Sequence, residues 1–182
     1  IGWSFILLLL FILVSRQWNE FRTAALHRKV IGLYSIAAIL LSINWLVYVW
    51  GVNAGFIVET SLGYFINPLL SVLLGVIFLR ERLRPAQWIP VSIAAIGVIY
   101  LTVIYGRPPW IALTLAFSFG FYGLVKKLAP LGSLHGLTLE TGMVFPAALI
   151  YLLIVQVNGS GAFLHQTTLT DVLLIAAGAV TT

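Results

Sequence analysis

Runs of apolar residues fall near positions 1–15, 30–51, 58–79, 86–105, 109–125, 137–157 and 172–182, with short polar or Gly- and Pro-containing connections between them. About 20 apolar residues at ~1.5 Å each cover the roughly 30 Å hydrocarbon core of a bilayer, so the five complete runs predict five transmembrane helices. The first and last runs are short and reach the ends of the chain, which reads as two helices cut by the limits of a fragment. The run 58–79 is 22 residues long with one charge, Glu59, and continues into the basic cluster Arg80-Glu81-Arg82-Leu83-Arg84.

The charges sit in alternate connections. Arg16, Arg22, Arg28 and Lys29 follow the first run, Arg80, Arg82 and Arg84 the third, and Lys126 and Lys127 the fifth, while Arg107 falls on the opposite side. The positive-inside rule makes the Arg/Lys-rich face cytoplasmic and places 53–57 in an outer turn, with Glu59 near the outer surface. Trp18, Trp88 and Trp110 at run ends suit aromatic belts. Composition agrees: 61% of the 182 residues are hydrophobic and 8% charged, against about 25% charged in ordinary soluble domains, and the mean hydropathy is +1.08. The net charge of +5 is accounted for by topology and not by nucleic acid, because the basic residues cluster between apolar runs. With no cysteine, there is no disulfide framework, thiolate nucleophile or cysteine-bearing metal site. Ile1 replaces an initiator Met, and 1–14 lacks the positive start and small-residue cleavage site of a signal peptide.

Within this frame a few polar residues stand out. Glu59, Gly63, Asn67 and Ser71 recur at i+4 and form a polar-and-small stripe on one side of the third run. Pro68 cannot donate to the carbonyl of Tyr64, and Asn67 could supply a replacement partner. The functional reading is a solute-contacting helix with Glu59 as cation site, proton acceptor or gate; the plain alternative is an interfacial carboxylate and a packing stripe. Asn44 and Tyr48 make a similar pair one run earlier, near Trp45 and Trp50; interhelical hydrogen bonding is the plainer role for Asn44. Gly51 and Gly55 match GxxxG, but at a run end, where a turn explains them. Ala112, Ala116 and Gly120 should let another helix approach closely, and Glu140 lies a few residues inside a run that Pro146 could kink.

Enzyme chemistry finds no support. His27, His135 and His165 are isolated, no HExxH, P-loop or GxSxG is present, and Gly159-Ser160-Gly161 lacks the third glycine of a dinucleotide fingerprint. No catalytic residue, metal or cofactor is expected.

The segments ETSLGYFINPLLSVLLG (59–75), INWLVYVWGVN (43–53) and LAFSFGFYGLVKK (115–127) resemble the RarD-type branch of the EamA family, membrane carriers of the drug/metabolite transporter superfamily. The resemblance covers nearly the whole chain and is most specific at Gly63-Tyr64-Phe65-Ile66-Asn67-Pro68. It implies an all-α membrane protein, part of a ten-helix fold made of two five-helix repeats with both ends cytoplasmic and a central solute cavity. On that template residues 1–106 are the first repeat, lacking its first helix and the start of the second, and 107–182 are the second, truncated within its third helix. The Ile36-Ala37-Ala38 and Ile175-Ala176-Ala177 triplets then echo one another across the duplication. The function implied is a secondary, non-ATP carrier in the inner (cytoplasmic) membrane, exporting small organic metabolites or drugs by alternating access; if Glu59 carries or relays a proton, transport should respond to pH. Asn44, Tyr48, Glu59, Asn67 and Glu140 are the candidate solute-binding residues. The alternative is a non-transporting membrane interaction or scaffold protein whose stripes only pack helices. The partners expected are a small solute and the lipid bilayer; the substrate and the oligomeric state stay open.

Overall fold

The computed structural model describes residues 2–106, 108–158, 170–173 and 175–176. Among them, in chain order, are α1 (Gly2–Val14), α2 (Trp18–Ala25), α3 (Arg28–Asn53), α4 (Ile57–Phe78), α5 (Pro85–Tyr105), α6 (Trp110–Leu128) and α7 (Ser133–Val157), and no strand occurs among the described residues. The five helices from α3 to α7 are each long and apolar enough to cross a membrane, as the hydrophobic pattern predicts; the protein is an all-α, multi-pass membrane protein. Arg107, the outer arginine, Gly159-Ser160-Gly161, His165 and Ala177, the last residue of the internal echo, lie outside the described residues.

Helix limits follow local chemistry. Pro85 occupies the first turn of α5, where its missing N–H costs nothing, and the Gln87 side chain accepts the Arg84 backbone N–H at 2.8 Å. Gly106 ends that helix in the left-handed conformation, φ 69°. The turn between α3 and α4 divides the GxxxG pair: Gly55, φ 84°, makes the turn, whereas a Cβ on Gly51 would lie 2.7 Å from Thr60 Cγ2, so Gly51 lets the two helices approach. The polar pattern gives no sign of α2 in the first connection. It folds because Phe21 supplies one buried anchor beside Trp18 and His135, with ring centroids 5.9 and 5.8 Å away.

The chain divides into two compact units, residues 1–38 with 129–182, and 39–128; α3 contributes its first part to one and the remainder to the other. In the first, α1 packs on α7, with Phe5 and Phe145 stacked at 5.2 Å. Gly142 admits the Phe5 ring, which a Cβ there would meet at 2.8 Å. Tyr34 donates to the Leu131 carbonyl at 3.3 Å and Ser35 to Met143 Sδ at 3.4 Å.

In the second unit α4 packs along α6. Leu62, Ile66, Leu70 and Leu74 recur at i+4 and form one ridge; Ala112 and Ala116 present the shallow groove that receives it. Gly63 and Gly120 bring the backbones closer still, since a Cβ on Gly63 would lie 3.0 Å from Leu115 Cβ and one on Gly120 3.1 Å from both Leu70 and Leu74. Small residues at such a seam allow the van der Waals packing on which helix association in lipid depends. The packing role expected for Ala112, Ala116 and Gly120 is therefore what the structure shows.

Candidate functional site

The end of α3, the middle of α4 and the middle of α6 enclose a cavity of about 190 Å³. From α3 come Asn44, Trp45 and Tyr48, from α4 Gly63, Tyr64 and Asn67, and from α6 Leu115 and Phe119. Asn44 and Tyr48 share a face because four residues advance a helix by a little over one turn. Gly63 and Asn67 share one for the same reason. No carboxylate and no basic side chain lines this cavity among the described residues.

Asn44 is held rigidly. Its Nδ2 donates to the Leu115 carbonyl at 2.9 Å and to Ser118 Oγ at 3.0 Å, and the Ser118 hydroxyl itself donates to the Leu115 carbonyl at 3.1 Å. The interhelical bonding that the sequence suggests for Asn44 is thus present, and the same residue also lines the cavity. Both amide protons are committed to α6, so the polar group it has left to offer is its carbonyl oxygen. Across the cavity Tyr48 and Tyr64 meet edge to face, with centroids 5.8 Å apart and planes at 83°.

Asn67 sits beside the point where α4 is short of a hydrogen bond, because Pro68 lies inside the helix and has no N–H for the Tyr64 carbonyl. Its Oδ1 is buried, with no hydrogen-bond partner among the described residues. A buried acceptor left unmatched costs ~1–3 kcal/mol, a cost that α4 bears beside the cavity, since a water-sized molecule in the cavity does not reach this oxygen.

The remaining sequence candidates are placed differently. Glu59 is buried, 2% exposed, in the first turn of α4, two turns before Asn67 and off the cavity lining. It faces protein and not lipid headgroups. Ser71, the next residue of the stripe, lines a second cavity of about 200 Å³ with Leu74, Gly75, Gly120 and Lys127. Beside it Lys127 pairs with Glu81, so this lysine has a partner in addition to its place in the basic cluster. Glu140 is 1% exposed, but it belongs to α7 and the other compact unit. Asn44, Tyr48 and Asn67 are therefore brought together, Glu59 lies along the same helix, and Glu140 is in a different body. Sequence reasoning missed Phe119 and singled out Tyr64 only through the family resemblance. Each follows a polar or small residue of a stripe by one position, a weak signal until the α3, α4 and α6 neighbourhood is known.

An aromatic cluster closes the end of this unit that holds the α3–α4 turn. Trp50 packs against Phe56 at 5.6 Å and against Trp110 at 5.5 Å, as belt residues do at a membrane surface.

A sequence model of the EamA-like transporter family matches residues 1–103. Among known proteins the chain is 44% identical over 179 residues to protein RarD of Streptomyces exfoliatus, covering 98% of this chain and 57% of that protein. It is 49% identical over 184 residues to the uncharacterized transporter YojE of Bacillus subtilis (98% and 60%), and 41% identical over 180 residues to protein RarD of Escherichia coli (99% and 61%). The chain thus spans about three-fifths of the length of these relatives. No solved structure matches it.

Proposed function

Because the chain belongs to the EamA-like transporter family, we propose that it forms part of a secondary carrier, one that exports small organic solutes by alternating access and without ATP. The observation that carries this reading is the cavity of Asn44, Tyr48 and Asn67: a small, aromatic-walled space with two amide side chains, lined by the end of α3 and the middle of α4 and α6. Solute sites of secondary transporters sit near the bilayer midplane beside helices whose backbone bonding is incomplete, and Pro68 removes one backbone hydrogen bond from the otherwise continuous α4 at this level. Residues 1–106 are the first repeat and 107–182 the second; the family match, ending at 103, supports a boundary there. The Arg/Lys-rich loops face the cytoplasm across the inner membrane, as their alternation along the chain supports.

In this reading Glu59 relays the coupling proton, a role supported by its burial within a span, and Glu140 contributes from the second repeat. The test is flux of a metabolite panel in proteoliposomes holding the full-length protein, with and without a pH gradient. Wild-type flux should rise with the gradient, and Glu59→Gln should remove that response while leaving the protein folded. A mutant that keeps the gradient dependence removes Glu59 from the coupling step. Absence of flux for every solute tried, in folded protein, favours the alternative reading of a membrane interaction protein, whose supporting observation is how completely the Ala112, Ala116 and Gly120 stripe is used in packing.

A further inference from the structure

We propose that the cavity lined by Ser71 and Lys127 is the aqueous, cytoplasmic stage of a solute path that continues from the cavity of Asn44 and Tyr48, and that the Glu81–Lys127 pair latches its end. This deepens the carrier reading: the path and its orientation rest on that reading, whereas the latched aqueous chamber does not.

The two cavities belong to one groove between α4 and α6. Along α4, Gly63 and Asn67 line the first cavity and Ser71 and Gly75 the second; along α6, Leu115 and Phe119 line the first and Gly123 and Lys127 the second. In each helix these positions are four residues apart, so they recur along one side at steps of ~6 Å. A third cavity uses a different row of α6, Leu113, Phe117 and Phe121, and no residue of α4. The walls change along the groove while the volume stays close to 200 Å³. Aromatic rings surround the first stage; Ser71, Gly75, Gly120 and Gly123 open the second, and Ser71 and Gly123 are exposed. A hydroxyl, a lysine and small side chains make that stage the one suited to water.

The latch is built by the end of α4. Leu79 and Glu81 both donate their N–H to the Gly75 carbonyl, at 3.1 and 3.2 Å, and Arg80 between them is left-handed, φ 54°, which is uncommon for such a residue. The chain thereby turns Glu81 back over the helix, where a Cβ on Gly75 would lie 2.8 Å from Glu81 Oε2. From the room that Gly75 leaves, the carboxylate reaches Lys127 of α6, a lining residue of the second cavity. One ion pair thus ties the two walls of the groove at the end of that cavity. Both side chains are exposed, so water can take either partner's place and the latch opens without burying a charge.

The test is thiol labelling. The 182 residues contain no cysteine, so Ser71→Cys and Gly123→Cys, introduced singly into the full-length protein with any cysteine elsewhere changed to serine, report on the chamber. Nothing lies within 4 Å of a Cβ at Gly123 or at Gly97 of α5, so Gly97→Cys serves as the mid-span control, and thermal unfolding checks that each variant is folded. Two membrane-impermeant methanethiosulfonates, one bearing a sulfonate and one a trimethylammonium group, are applied to inside-out and right-side-out vesicles. Both chamber thiols should react from the cytoplasmic face and the control should not. Glu81→Gln should speed the reaction with both reagents about two- to fivefold, the population shift that loss of an exposed pair allows. Chamber thiols no faster than the control, or reached only from the outer face, would overturn the proposal. So would Glu81→Gln rates that are unchanged, or that rise for the anion and fall for the cation, which is a change of local charge without opening. Labelling needs no solute, so it separates the two readings: flux with unreactive chamber thiols keeps the carrier and removes this stage, while the expected labelling without flux of any solute keeps the latched chamber and removes the carrier.

Discussion

Gly63→Ala tests whether the α4–α6 seam is as close as its small residues make it. The new methyl would lie 3.0 Å from Leu115 Cβ, 3.2 Å from Leu115 Cδ1 and 3.3 Å from the Ala112 carbonyl oxygen. Leu115 Cβ is bonded to the backbone and the Ala112 oxygen is backbone, so neither can swing aside. Carbon–carbon contacts are optimal at ~3.5–4.0 Å, so the helices must part by about half an ångström. That shift weakens the contacts of the Leu62, Ile66, Leu70 and Leu74 ridge with Ala112 and Ala116. Overpacking of this kind costs ~1–3 kcal/mol, while replacing Gly by Ala within a helix returns ~1 kcal/mol, leaving a net loss of about 0–2 kcal/mol. Gly97→Ala in α5 is the control: nothing lies within 4 Å of its Cβ position, so the helix gain stands alone and stability should rise by ~0.5–1 kcal/mol. Intrinsic tryptophan fluorescence during thermal unfolding of the full-length protein reads both. Gly63→Ala should lower Tm by up to roughly 8 °C and Gly97→Ala should raise it slightly. A Gly63→Ala protein stabilised as much as Gly97→Ala, or a Gly97→Ala protein as damaged as Gly63→Ala, refutes the close-approach argument.

The other contacts of the same unit make smaller predictions. Asn44→Leu removes two hydrogen bonds to α6 and should cost ~0.5–2 kcal/mol, the range for interhelical polar bonds in membranes; with Ser118→Ala the losses should be less than additive, because the two side chains share the Leu115 carbonyl. The Glu81–Lys127 pair is 45% and 58% exposed at its two side chains, so a double-mutant cycle should return only ~0.2–1 kcal/mol, falling as salt rises; a coupling that 1 M salt leaves unchanged contradicts the exposed assignment.

The spans were legible because bilayer thickness sets their length independently of what packs where. Glu59 shows the limit of that signal. Its helix is plain from the sequence, but its burial depends on neighbours that periodicity along α4 does not name. Small residues at 112, 116 and 120 announce a close helix contact; they do not say that Leu62, Ile66, Leu70 and Leu74 provide the other side. Phe119 escaped notice for the same reason, since it becomes a cavity residue only once α3 and α6 are neighbours. Helix α2 was hidden by its own composition: one buried aromatic, Phe21, among polar residues leaves no periodic stripe to read. Glu140 and Glu59 looked equivalent as intramembrane carboxylates, and chain spacing could not reveal that they belong to different compact units.

Under the repeat assignment proposed above, α4 closes on α6 across the boundary between the repeats, so alternating access must move this seam. Leu115 is its focal point: its carbonyl accepts from Asn44, its Cβ is where Gly63 approaches, and it lines the cavity. At the basic end the repeats are tied by Glu81 and Lys127, which are exposed enough for water to replace one another's charge at a cost of ~1 kcal/mol or less. The middle has no such substitute, because dispersion between close-packed surfaces is lost outright when they separate. Motion that keeps the Gly63–Leu115 contact as a pivot and opens at Glu81–Lys127 is therefore cheaper than one that opens the middle. The same Gly63→Ala change that lowers stability should accordingly slow flux more than it weakens solute binding, because it displaces the pivot while removing no polar group from the cavity.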